Sequence, residues 1–80
     1  MPLRRTPLPA WAIARRRELG QRLVAARLTA GLSQERLGDL VGMERRTIQR
    51  YEAGARDPRY TDLLLLADAL GVDPADLVRT

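Results

Sequence analysis

Apolar positions along this chain recur at helical spacing in five clusters, and each of the first four is closed by a glycine. Leu19, Leu23, Ala26 and Ala30 stand at i, i+4, i+7 and i+11 among strong helix formers, which predicts helix 1 over Ala10–Ala30 with Gly31 as its stop. Pro9 suits the first turn of that helix. Gly20 costs about 1 kcal/mol relative to Ala there and marks the one point where the helix could break; one long helix is the expectation. Trp11 is expected to lay its ring against the bundle, with an exposed partner-facing ring as the alternative. Leu37, Leu40 and Val41 predict helix 2 over Gln34–Val41, capped by Ser33 and ended by Gly42. Gly38 inside it implies that another helix approaches too closely for a larger side chain. Helix 3 runs over about Arg45–Ala53 and ends at Gly54. Leu63, Leu64, Leu66, Ala67 and Leu70 mark helix 4, closed by Gly71, with Leu65 the expected outlier of its four consecutive leucines. Asp73-Pro74-Ala75-Asp76 joins an N-cap acid to a proline at the first helical position, opening a short helix 5 that carries Leu77 and Val78. The pattern is all-α: a compact five-helix bundle without strands.

Helices 2 and 3, joined by the glycine turn at Gly42, have the layout of a helix-turn-helix. At about 100° per residue, Thr47, Ile48 and Tyr51 fall on one side of helix 3, and Arg45, Arg46, Gln49 and Arg50 on the other. One side is suited to packing and the other to binding.

Charge sharpens this picture. All 14 basic residues are Arg, and residues 1–50 hold 11 of them against 4 acids, a net of +7, while residues 51–80 hold 3 against 6, a net of −3. The basic excess coincides with helix 3 and points to a polyanion. Residues 1–9 carry Pro2, Pro7 and Pro9 with Arg4 and Arg5; they read as a flexible basic arm, either idle or touching phosphate or a minor groove. The domain proper is expected over residues 10–80.

Eighty residues make one small domain with a thin stability margin, and without Cys neither a disulfide nor a zinc thiolate site can reinforce it. With no His, Cys or Lys and a single Ser, Ser33, placed as a helix cap, acid–base or nucleophilic catalysis would rest on carboxylates and Tyr alone. The acids have no metal-ligand spacing, so no enzyme activity, cofactor or metal is expected. No apolar leader segment and no run approaching the ~18 apolar residues of a membrane span is present, which makes a cytoplasmic protein with no membrane partner the expectation.

From about Gly20 to Val78 the chain resembles the lambda-repressor and Cro-like helix-turn-helix family, also called XRE. The resemblance rests on Arg27, Gly31-Leu32-Ser33-Gln34-Glu35, Leu37, Gly42, Thr47-Ile48, Arg50-Tyr51-Glu52, Gly54, Pro58 and Leu63 to Gly71-Val72. It implies that Gln34 contacts a DNA phosphate and that Arg45, Arg46 and Gln49 face base edges. The chemistry agrees: Arg can fork onto guanine O6 and N7, and Gln onto adenine N6 and N7. Arg50, at the edge of that face, could reach a base or a phosphate and is grouped with the phosphate contacts, as are Arg56 and Arg59 just beyond helix 3, with a solvated loop as their alternative. The resemblance also implies an ion pair between Arg27 and Glu52 that ties helix 1 to the end of helix 3. Tyr51 is expected in the core with its hydroxyl at the rim.

Three positions depart from the family pattern. Arg36 replaces the Glu of a capping box with Ser33, Glu44 replaces the usual Ser or Thr cap of the recognition helix, and Gly38 replaces the commoner Ala. The expected function is a sequence-specific DNA-binding transcriptional regulator, most simply a repressor, acting on double-stranded DNA as a homodimer. With no further domain expected after helix 5, the dimer surface would come from the bundle, with Leu65 or Leu77 exposed; a monomer that dimerises only on DNA fits the pattern equally well. The alternative is an antitoxin or protein-interaction adaptor of the same fold, whose protein partner would be a toxin or a polymerase component.

Overall fold

A computed structural model describes residues 7–79, and it contains α1 (Ala10–Thr29), α2 (Gln34–Val41), α3 (Arg45–Glu52), α4 (Tyr60–Leu70) and α5 (Pro74–Val78). Arg4 and Arg5 of the basic arm lie outside the described residues; Pro7 to Pro9 precede α1 without helical structure. Among the described residues there is no strand.

Helix α2 has its expected bounds, α3 ends one residue before the expected Ala53, and α5 opens at the expected cap. Ser33 accepts a hydrogen bond from the Arg36 backbone N–H, and Gly42 adopts φ 70°, the left-handed conformation that reverses the chain without a Cβ penalty. Asp73 caps α5 through the Ala75 N–H, with Pro74 in the first turn. Helix α1 is continuous through Gly20, and its last residue is Thr29, with Ala30 as C-cap.

Each helix contributes to one core: Leu23 from α1, Leu37 from α2, Ile48 and Tyr51 from α3, Leu66, Ala67 and Leu70 from α4, and Leu77 from α5. Leu23, Leu37, Ile48, Leu66 and Leu77 are each 1–2% exposed, and full burial of such a side chain contributes roughly 1.5–3 kcal/mol. Leu19 and Ala26 pack against this core from α1.

Several expectations from the apolar pattern change. Leu77 is core, because α5 turns that residue back onto the bundle and presents Val78 to solvent instead. Leu40 is 48% exposed, since Leu37, Gly38 and Val41 occupy the inward side of the eight-residue α2. In α4, Leu64 joins Leu65 on the exposed side while Leu66, Ala67 and Leu70 face in. Trp11 stands 69% exposed, because α1 extends its N-terminal turn beyond the core.

Two of the three glycines at which a Cβ would meet backbone within 3 Å lie inside helices. A Cβ on Gly20 would lie 2.4 Å from the Glu52 carbonyl oxygen and 2.8 Å from that of Tyr51, so α1 crosses the end of α3 backbone to side-chain-free backbone. A Cβ on Gly38 would lie 2.5 Å from the Met43 carbonyl oxygen. The crowding at Gly38 therefore comes from the turn, and only secondarily from helix α3 itself, whose Arg45 nitrogen lies 3.6 Å away.

Candidate nucleic-acid interface

Helix α3 is held by its inner face and leaves its outer face free. Ile48 and Tyr51 are buried and Thr47 is half-buried, whereas Arg45, Arg46, Gln49 and Arg50 are exposed. None of Arg45, Arg46 and Arg50 forms an ion pair among the described residues, so their guanidinium donors are available to an external acceptor. The N-cap of α3, Glu44, has extended backbone but makes no side-chain capping bond. Its exposed carboxylate therefore stands at the start of this otherwise cationic face.

The turn between α2 and α3 is short and tied down, with the Met43 N–H donating to the Gly38 carbonyl at 2.9 Å. At the other end of α3, Glu52 gathers three helices. Arg27 of α1 donates through Nε to Glu52 Oε2 at 2.7 Å and through Nη2 to Oε1 at 3.2 Å, and the two side chains are 12% and 5% exposed. A third guanidinium nitrogen, Nη1, donates to the Leu32 carbonyl at 2.9 Å. Gln34, in the first turn of α2, donates through Nε2 to Glu52 Oε1 at 2.9 Å. The amide of Gln34 is thus fixed relative to α3 rather than free to swing.

Beyond α3, Arg56 and Arg59 line a hollow shared with Glu44 and Thr47, which places them beside the N-terminal end of α3. Arg59 lies 3.6 Å from Asp62, with its side chain 87% exposed. The Tyr51 hydroxyl donates to Asp62 Oδ2 at 3.0 Å. Burial and this bond to a carboxylate raise the Tyr51 phenol above its ordinary pKa, against the opposing pull of Arg56 and Arg59. Tyr51 is therefore a neutral, inward-tied core residue whose hydroxyl is already engaged.

Residues 18–79, which contain all of these side chains, match the family described as a helix-turn-helix domain. The chain belongs to this family. It is a helix-turn-helix domain of the lambda-repressor and Cro-like type. It is 35% identical over 60 residues to the SPbeta prophage-derived HTH-type transcriptional regulator YonR of Bacillus subtilis, an alignment that covers 75% of this chain and 56% of YonR. The chain thus spans about half the length of that relative.

Two solved structures share the helix-turn-helix arrangement. The restriction-modification controller protein C.AhdI of Aeromonas hydrophila is 39% identical, with a TM-score of 0.77 over 80% of this chain and 97% of that one. The P22 c2 repressor, solved in complex with a synthetic operator, is 31% identical, with a TM-score of 0.73 over 76% of this chain and 92% of that one.

Within this helix-turn-helix domain some contacts escaped the sequence pattern. Arg16 donates through Nε to the Gly54 carbonyl at 2.7 Å and lies 3.8 Å from Asp57, pinning the exit of α3 to α1. The bond from Gln34 to Glu52 and that from Tyr51 to Asp62 were also unmarked by any local motif. Each joins residues on different helices or on a helix and a loop, which no short spacing encodes.

Proposed function

We propose that this chain is a sequence-specific DNA-binding transcriptional regulator that inserts α3 into the major groove. The observation that carries this reading is the division of α3: an inner face locked by Ile48 and Tyr51, and an outer face of Arg45, Arg46, Gln49 and Arg50 left without carboxylate partners among the described residues. Arg45, Arg46 and Gln49 read base edges, where a fork from Arg to guanine or from Gln to adenine discriminates by about 1–3 kcal/mol. Gln34, Arg50, Arg56 and Arg59 contact phosphates and set the docking register. Arg27 and Glu52 hold the frame and touch no base. The kinship with the P22 c2 repressor, solved in complex with a synthetic operator, favours repression over activation.

The working form is a homodimer on two half-sites about one helical turn, ~34 Å, apart. Of the two leucines expected at a dimer surface, Leu65 is the one in solvent. Among the described residues no helix is long and apolar enough to cross a membrane; action on double-stranded DNA in the cytoplasm is part of this reading. Selection of a randomised duplex library by the purified chain near physiological salt tests the reading. Enrichment of an inverted repeat is expected; recovery of a single half-site would remove the dimer, and recovery of no sequence at all would remove the specific regulator.

A further inference from the structure

The first turns of α1 lie before the segment that matches the family, and they build a surface that the α3 face does not use. A groove of about 240 Å³ runs between α1 and α5, walled by Trp11, Leu19, Leu77 and Val78. Trp11 is 69% and Val78 is 55% exposed, so two large apolar side chains meet water along one groove. The volume falls below the roughly 300–1,000 Å³ of small-molecule pockets and suits one or two side chains of a peptide.

Charge identifies the kind of peptide. Arg15, Arg16, Arg22 and Arg79 line the groove against Glu18 and Asp57, a net of +2. Arg15, Arg16 and Arg79 have intramolecular carboxylate neighbours, in Glu18, Asp57 and Asp76. Arg22 has none among the described residues, although it is partly buried. An apolar channel beside an unpaired, partly desolvated guanidinium is complementary to an apolar side chain adjoining a carboxylate. A two-fold contact with a second copy is disfavoured here, because it would bring together two surfaces that each carry a net of +2. No residue of α2 or α3 lines the groove, so a ligand there leaves the α3 face open.

We propose that the α1–α5 groove docks an acidic peptide segment of a protein partner, with a Leu or aromatic anchor against Trp11, Leu19 and Val78 and an Asp or Glu paired to Arg22. Tryptophan and arginine are the residue types that most often carry binding energy at such surfaces.

Trp11 is the chain's single tryptophan, so the groove carries its own optical probe. The test is selection of a displayed random-peptide library on the full chain, followed by titration of the best synthetic peptide. Enriched sequences should pair Leu, Phe or Trp with Asp or Glu, and the peptide should shift Trp11 emission to the blue, with or without duplex DNA present. Arg22→Glu should weaken binding about tenfold or more. Trp11→Ala, a change at an exposed site, should do the same in an anisotropy assay with labelled peptide while leaving the melting temperature unchanged. The proposal is overturned by no enrichment, by enrichment of peptides without acidic residues, or by equal binding to the Trp11→Ala variant. It is also overturned if Trp11 shifts on concentrating the chain alone, which would assign the groove to a second copy, or on adding DNA alone.

Discussion

Glu52→Ala should destabilise this domain more than its single lost side chain suggests. The carboxylate is 5% exposed and accepts from Arg27 Nε at 2.7 Å, Arg27 Nη2 at 3.2 Å and Gln34 Nε2 at 2.9 Å. Removing one partner of a buried pair costs about 3–5 kcal/mol, because the other charge is stranded in a poorly solvated site. Arg27 keeps its bond to the Leu32 carbonyl, and its side chain is 12% exposed, so the loss belongs at the lower end of that range. For a domain of this size each kcal/mol moves the melting temperature by roughly 4–8 °C, which makes the expected fall about 12–24 °C. Thermal unfolding followed by far-ultraviolet circular dichroism measures it. The paired change Arg27→Met with Glu52→Leu removes both charges and should recover most of the loss. A fall of less than about 5 °C, or a double variant no more stable than Glu52→Ala, would refute the stranded-charge reasoning.

Other substitutions separate packing from binding. Gly20→Ala should lower the melting temperature even though Ala is the better helix former by about 1 kcal/mol, because its Cβ would meet the Glu52 carbonyl at 2.4 Å and overpacking costs about 1–3 kcal/mol; a rise would show that α1 and α3 separate freely. Tyr51→Phe removes the bond to Asp62 and should cost about 1 kcal/mol at neutral pH. Because the folded-state pKa of Tyr51 is raised, its linked stability is fully present below the unfolded value near 10 and is lost as pH rises through the folded value. The Phe variant should therefore show a shallower alkaline fall in stability, and matching alkaline curves would contradict the burial and bond given as causes. Arg56→Ala and Arg59→Ala should each weaken DNA binding equally on all sequences and reduce the salt slope by about 1; a changed base preference would move the residue into the readout set.

The fold was legible where local chemistry is explicit. Ser33 and Gly42 bracket α2, Asp73 and Pro74 open α5, and these signals act through backbone groups only a few residues away. The two faces of α3 were legible for a similar reason, since 3.6-residue periodicity alone separates Ile48 and Tyr51 from Arg45, Arg46 and Gln49. What periodicity cannot supply is which apolar residue finds a partner. Leu77 and Val78 are neighbours in sequence, yet the approach of α5 to the bundle buries one and exposes the other. Leu40, Leu64 and Trp11 keep helical spacing but extend past the elements that would cover them. Gly20 read as a cost to its own helix, and its reason lies on α3, across more than thirty residues of chain. The Arg27–Glu52 pair was legible only through family resemblance, and the additional hold of Glu52 on Gln34 joins residues eighteen apart that no local pattern links.

The central claim, that the outer face of α3 reads bases from the major groove, is tested most directly by methylation interference at guanine N7, an atom of that groove. The duplex would be one selected by the wild-type chain, probed with the wild type and with Arg46→Ala. The account predicts interference at guanines in each half-site, with one position losing its effect in Arg46→Ala while the melting temperature stays unchanged. Interference confined to minor-groove or phosphate modifications, or a pattern identical in both proteins, would contradict it.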